Sequence, residues 1–459
     1  MLFQTTLTPE QEECPITVRL EASASSIVRG CPGIPRSIPR IETVLNIRSI
    51  NHSPFPLRSV SIKLMTKQKV MIPTKFGSSE AFKEFIIYED PLTYQPPMGE
   101  FSQLLHGLDI PILIPIPKDL TPTGHSPTLG ATTIHNLVVF VSLGNSASTE
   151  STFVDYFPVD IKMYDTLPIY RQYNEPIVES RYSSDNQTLV EVAIPVTSIG
   201  PGDNLKVMCT VKTNSANNKV KKHIALKQLT FQVKEILECF DGGLPPRKEF
   251  KLHTESKAFA KEINTQDTSQ TFSIQFPYDN EYLEMFTPKE DGSSNNTDIT
   301  ESFSTTIIES TNISKLKVLD KLPDGVPLTH IQGFTLLGKF YSIWFEIVIK
   351  VKLSHAKDID IHIPIIVCPF NKESSTYILN WIMAECEVAK REFGKEFNRI
   401  YSSTSKYLEM VKLIDRFRQP PVVCNNGKIK GITDPIPNKL LPNISSNSNS
   451  NSNSGLCID

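Results

Sequence analysis

Glycine is scarce, at 20 of 459 residues. A chain this poor in glycine, with 34 prolines, does not look like a nucleotide-binding α/β fold built on glycine loops. Neither sign of charge is in excess. Lys plus Arg is 47, Asp plus Glu is 50, and the formal net charge is -3, unlike a dedicated nucleic-acid binder with its basic imbalance. No run approaches the ~18 apolar residues that a membrane span needs. The first residues, MLFQTTLTPEQEECP, have no basic n-region and no long apolar run, so they do not read as a signal peptide. The eight cysteines are scattered, without a C-x-x-C pair, and read as reduced thiols. The sequons at Asn51, Asn186, Asn295, Asn312 and Asn443 then read as chance matches, because glycosylation needs export. The cytoplasm is the expected compartment.

Catalytic constellations are missing too. The nine histidines are dispersed, with no H-E-x-x-H, and no G-x-S-x-G elbow is present. Gly333, Gly338 and Lys339 fit G-x-x-x-x-G-K, but Phe340 follows where a phosphate loop needs Ser or Thr to hold Mg²⁺. The next residues alternate like a strand, whereas a phosphate loop must open a helix. No metal, no cofactor and no enzymatic activity are expected.

What the sequence does have is alternation. Hydrophobic residues make up 39% of the chain, enough for a real core, and the length suggests two or three domains. Apolar residues recur with period two at Val60–Ile62–Leu64, over 134–143 and 157–164, at Leu205–Val207–Cys209–Val211 and at Leu229–Phe231–Val233. The clearest pair is a hairpin: Ile343, Phe345, Ile347, Ile349, Val351 and Leu353 go out, and Ile359, Ile361, Ile363, Ile365 and Val367 return. In 109–120, Ile110, Ile112, Ile114 and Ile116 share one face, while Pro111, Pro115 and Pro117 share one parity. That arrangement suits an edge strand whose missing N–H groups face solvent. The segment GPGD (200–203) reads as a type II turn with Gly202 at the φ > 0 position.

The expected architecture is all-β, with two tandem antiparallel β-sandwich domains followed by a C-terminal amphipathic helix. The first sandwich occupies 14–165, a linker 166–187, and the second sandwich 188–370, with a long polar loop near 288–312. Residues 371–418 change period: Ile378, Ile382, Cys386, Ala389, Phe393 and Phe397 recur at intervals of three and four, as an amphipathic helix requires. That apolar stripe packs back on the sandwiches, or else docks on a partner helix or a membrane. Residues 419–459 end in a Ser/Asn-rich run that cannot bury a core.

Two short motifs stand out. Leu167, Pro168 and Tyr170, between the strand sets, form the extended Pro–Tyr ligand that aromatic-lined WW grooves read; the plainer reading is a linker with Tyr170 packed at the junction. Lys219, Lys221 and Lys222 form a basic patch, either a solvated hairpin tip or a contact for anionic lipid or acidic partner segments.

Residues 14–370 resemble the fungal arrestin-related (alpha-arrestin) family. The resemblance rests on IPILIPIPKDLTPT ahead of TTIHNLVVFVSL, on LVEVAIPVTSIGPGDNLKVMCTVKTNS, and on the closing hairpin KFYSIWFEIVIKVKL…DIDIHIPIIV. It implies an arrestin-like double sandwich and a non-catalytic cytoplasmic adaptor, recruited to the plasma membrane or endosomes. Such adaptors bind cytoplasmic segments of membrane transporters or receptors and bring a HECT-type ubiquitin ligase to them through [L/P]-P-x-Y motifs. Here Leu167, Pro168 and Tyr170 match that motif. A branch of the family serves ambient-pH signalling. The alternative function, from another class, is a trafficking-coat or sorting-complex subunit of the same shape, assembled through the helix.

Overall fold

The computed structural model describes residues 15–21, 27–74, 77–88, 92–97, 100–126, 128–145, 150–164, 176–214, 223–240, 247–263, 267–276, 333–401, 406–425 and 428–431. In the first half the strands are β1 (Ile16–Leu20), β2 (Val28–Arg29), β3 (Arg40–Ser49), β4 (Phe55–Thr74), β5 (Gly77–Ile86), β6 (Leu92–Tyr94), β7 (Gln103–Leu105), β8 (Gly107–Pro115), β9 (Gly124–Ser126), β10 (Ala131–Leu143) and β11 (Ser151–Val159). In the second they are β12 (Ile177–Tyr182), β13 (Thr188–Ile194), β14 (Ser198–Ile199), β15 (Asp203–Thr213), β16 (Ala225–Cys239), β17 (Arg247–Glu262), β18 (Thr268–Phe276), β19 (Leu336–Leu337), β20 (Tyr341–Ser354) and β21 (Ile359–Val367). Helices α1 (Lys372–Tyr401) and α2 (Lys406–Arg416) follow, then β22 (Val422–Asn425) and β23 (Lys428–Gly431).

These strands make four sheets: β1-β3-β8-β22-β23 with β2 beside β3; β11-β10-β4-β5 with β6, β7 and β9; β12-β13-β15-β18; and β14-β21-β20-β16-β17 with β19 beside β20. Every ladder is antiparallel except the short β14–β21 contact. The cause is one-sided burial. Along β21, Ile359, Ile361, Ile363, Ile365 and Val367 are buried while the residues between them are exposed. Such a strand hides its apolar row only by packing on another sheet. The first two sheets enclose one core, with Leu45, Ile47 and Ile112 facing Leu57, Ile62 and Leu137. The last two enclose a second, with Val207 and Phe272 facing Phe231 and Ile347. The Phe231 and Phe272 rings stack at 5.3 Å across it, worth about 0.5–1.5 kcal/mol beyond their burial. The fold is therefore all-β, in two antiparallel sandwiches with helix at the C-terminal end.

Several local expectations needed revision. The strand expected over 157–164 lies earlier, at Ser151–Val159, because register with β10 pairs Phe157 to Leu137 and Val159 to His135. Ile161 and Tyr164 are still buried, but as non-strand chain. The linker expected over 166–187 already contains β12, which pairs with β13 from Ile177 to Tyr182. The tail expected from 419 begins with structure: β22 joins β8 and turns back as β23, because Val423 finds a place in the first core. The loop near 288–312 and the end of the tail lie outside the described residues.

The proline strand is the subtler case. β8 is flanked by β3 on one side, and on the other β22 pairs with Gly107, Leu108 and Asp109 only. Extending that ladder would place Pro421 and Pro420 opposite Ile110 and Pro111, and neither proline has an N–H to give. The edge thus stays open where the prolines lie. There Arg418 Nε donates to the Leu113 carbonyl at 3.0 Å.

Candidate partner-binding surfaces

Leu167, Pro168, Tyr170, Lys219, Lys221 and Lys222 all lie outside the described residues. The neighbouring His223 is exposed, with Nδ1 3.3 Å from Glu262 Oε1. The described surfaces come from how the two sandwiches and the C-terminal segment fit together.

The sandwiches meet through a buried, mixed junction. Val70, Leu129 and Ala131 of the first half join the apolar core of the second. Polar ties run alongside. The Gln68 side chain accepts the Phe340 N–H at 2.9 Å and donates to Thr133 Oγ1 at 3.3 Å. The Tyr341 and Thr133 hydroxyls lie 2.8 Å apart. The buried Glu235 carboxylate accepts from Ser126 Oγ at 2.8 Å and from Thr128 Oγ1. Burial raises the Tyr341 pKa, with the Thr133 hydrogen bond working against it. Gly124 lets the chain approach closely here: a Cβ would stand 2.6 Å from Leu336 Cδ1, which would have to move. Behind the junction, His135 Nε2 lies 2.9 Å from the Thr121 carbonyl, which only accepts, so Nε2 carries the proton and Nδ1 accepts from Thr66 Oγ1 at 2.8 Å. Burial pushes the His135 pKa down to about 4. A charged imidazole there would lose its hydration without a compensating anion.

The C-terminal segment straps the two halves. Ile378 and Ile382 of α1 pack with Phe370 and Cys368 from the end of the second sandwich and with Cys31, Ile34 and Tyr164 from the first. At Gly394 the helix breaks, with φ 58° and ψ -138°. On either side of this break, Ala389, Phe393, Phe397, Leu413 and Ile414 gather on Ile38 and Leu113. The side chain of Arg40 is buried against this strap. Its guanidinium reaches Glu42 at 2.7 Å and Glu392 of α1 at 2.8 Å, and lies 5.1 Å from the Phe393 ring centre. Ile38 takes φ 51°, a costly conformation for a β-branched residue. The helix therefore packs back on the sandwiches, one of the two placements its stripe allowed. No described helix is long and apolar enough to cross a membrane.

Two outer sheet faces carry apolar side chains that nothing described covers. On the fourth sheet, Leu337 (71% exposed), Phe240 (59%) and Ile366 (47%) stand around a half-buried Trp344, while Ile236 opposite Trp344 and Val348 on the same face are fully buried. Arg247 stacks 5.1 Å from the Trp344 ring centre, held by Glu249 at 2.9 Å. Three buried polar atoms on this face make no hydrogen bond: Gln232 Oε1, Trp344 Nε1 and Glu346 Oε2. The last is 3.1 Å from His362 Nδ1, at ion-pair distance but in poor alignment. On the second sheet, Val154 (40%) and Tyr156 (60%) of β11 lie opposite Phe140 and Val138 of β10. The signal for the fourth-sheet face lies in the other parity of strands read from the sequence, whereas Val154 and Tyr156 precede the strand expected at 157–164; alternation alone does not say which side is covered.

No protein-family model matches the chain. It is similar to RHO1 GEF localizing protein 1 of Saccharomyces cerevisiae, 26% identical over 462 residues, covering 89% of this chain and 92% of that protein. The likeness thus runs through both sandwiches and is not confined to one sheet or loop.

Proposed function

We propose that this chain is a non-catalytic scaffold of arrestin type that holds another protein in place, and that its client is a RHO1 GEF or its counterpart. The observation that carries the reading is two groups of exposed apolar side chains, Leu337, Phe240 and Ile366 on the fourth sheet and Val154 and Tyr156 on the second, held on sandwiches tied together by buried hydrogen bonds. A contiguous exposed apolar patch on a soluble sheet is the usual mark of a partner site. Likeness to a yeast protein named for localizing a RHO1 GEF, over nearly the whole of both chains, supports the choice of client. The scaffold works in the cytoplasm and is recruited to a membrane by its partners. Membrane transporters or receptors and a HECT-type ubiquitin ligase belong to the same proposal, with Leu167, Pro168 and Tyr170 as the ligase contact and Lys219, Lys221 and Lys222 as the lipid or acidic contact.

The test is co-purification and imaging. A tagged full chain should bring down the RHO1 GEF, and deleting the chain should disperse that GEF in cells. Absence of both effects removes the reading. Binding to isolated WW domains that is equal before and after Tyr170→Ala removes the ligase part alone.

A further inference from the structure

β11 pairs with β10 from His135 to Leu143, and no described strand lies on its other side. Among the described residues its outward row of backbone N–H and C=O groups is unpaired, and Pro158 alone in the strand has no N–H. Open edges are normally guarded by charge, and β17, β5 and β12 here are, whereas β18 (TSQTFSIQF) carries no charge. β17 carries Arg247, Lys248, Lys251, Lys257 and Lys261; β5 carries Glu80, Lys83 and Glu84; β12 carries Glu179 and Arg181. β11 reads STFVDYFPV and has no Lys or Arg. Phe153 and Phe157 sit half-buried over the first core, while Val154 and Tyr156 stand on the outer face.

The one charge on β11 is Asp155, exposed, two residues from Phe153 and two from Phe157. No described cation lies at ion-pair distance from it. The other acids near the strand are already matched: Glu150 with Arg58, and Asp160 with Lys162 at 3.5 Å. Partial desolvation beside the aromatics raises the Asp155 pKa, and an incoming cation would relieve it.

We propose that the free edge of β11 takes up an extended segment of the partner protein as an added strand, with apolar residues over Val154 and Tyr156 and a Lys or Arg against Asp155. The inference rests on the scaffold reading and names the chemistry of the segment held. Main-chain hydrogen bonds supply affinity in such an addition and the alternate side chains supply selectivity. A second copy of this chain fits less well. Two β11 strands paired antiparallel about their centres would bring the Asp155 carboxylates together, and like charges directly opposite are destabilising.

The experiment is a displayed library of random ten-residue peptides selected on the immobilised full chain, with Asp155→Lys and Tyr156→Lys as variants. Both sites are exposed, and circular dichroism checks that the fold is kept. The wild type should enrich apolar-alternating peptides bearing Lys or Arg. Tyr156→Lys should weaken them about tenfold or more, and Asp155→Lys should switch the preference to Asp or Glu. The proposal is overturned if no peptide is enriched, if the peptides bind both variants unchanged, or if light scattering shows a wild-type dimer that Tyr156→Lys dissolves. Co-purification separates this from the broader reading. A RHO1 GEF that still accompanies Tyr156→Lys sinks the edge proposal and leaves the scaffold intact; one that never accompanies the wild type sinks the choice of client, while selected peptides on β11 would still stand.

Discussion

Asp203 accepts the Lys372 backbone N–H with both carboxylate oxygens, at 2.9 and 3.1 Å. The residue that closes the GPGD turn thus satisfies a free N–H at the start of the strap helix, 169 residues on. The same carboxylate accepts the Gly200 N–H at 2.9 Å, while Gly202 takes φ 81° as the turn requires. Turn and helix are therefore locked by one side chain, and its charge sits at the positive end of the helix dipole.

Removing that carboxylate should loosen the strap before it unfolds the sandwiches. Asp203→Ala is expected to lower stability by about 1 kcal/mol, with faster amide exchange over the first turns of α1. Asp203→Asn, which keeps one acceptor, should lose less. Equal exchange in all three proteins would show that the cap does not hold the helix.

The hydroxyl pair across the junction is a second test. Tyr341→Phe and Thr133→Val each delete one partner of the 2.8 Å contact. A double-mutant cycle should return a coupling of about 1 kcal/mol. A coupling of zero would mean that this hydroxyl pair adds nothing to the junction, which the Gln68 and Glu235 hydrogen bonds and apolar packing would then hold.

Acid should destabilise the fold through His135. Its folded pKa, about 4, lies below the ordinary 6.5. Above pH 6.5 both folded and unfolded chains carry neutral imidazole, so the shift has no effect. As pH falls from 6.5 toward 4, the unfolded chain takes up a proton that the folded one refuses, and stability is lost. The full loss is on the order of 3 kcal/mol. His125, also lowered by burial, adds in the same direction. Urea titrations at pH 7 and pH 4.5 should show a smaller difference for His135→Gln than for the wild type; an unchanged difference would assign the acid sensitivity to other groups.

The edge of β8 is open to a truncation test. Ending the chain at Gln419 removes β22 and uncovers the Gly107–Asp109 backbone. Loss of buried Val423 alone is worth about 2 kcal/mol, and an uncovered edge invites self-pairing. A lower Tm with concentration-dependent light scattering is expected. An unaltered Tm would mean that α2 and Arg418 guard this edge without the strand.

Much of the fold was legible because period two is a local property. The hairpin from Ile343 to Val367 was readable residue by residue, and its register, with Val351 against Ile359, follows the pattern. The helical stripe from Ile378 to Phe397 was equally plain. The misplaced strand at 157–164 shows the limit: FPVDIKMY alternates well enough, yet beyond the His135–Val159 pair the same edge of β10 is taken by β9, at Ala131–Thr133. Candidate surfaces were harder. Trp344 and Ile366 lie on recognised strands and Val154 and Tyr156 on one the sequence placed too late, but exposure in every case depends on what packs above them.

By itself the sequence determined the long alternating strands such as the hairpin from Ile343 to Val367, the helical stripe from Ile378 to Phe397, and where Gly202 turns the chain, since each follows from neighbours a few residues apart. Only the tertiary structure decided that Gln68 meets Phe340, that Arg40 holds Glu392, and that no described strand pairs with the outer edge of β11. Those contacts join residues up to 352 positions apart, and no local period records which distant surfaces will exclude water from each other.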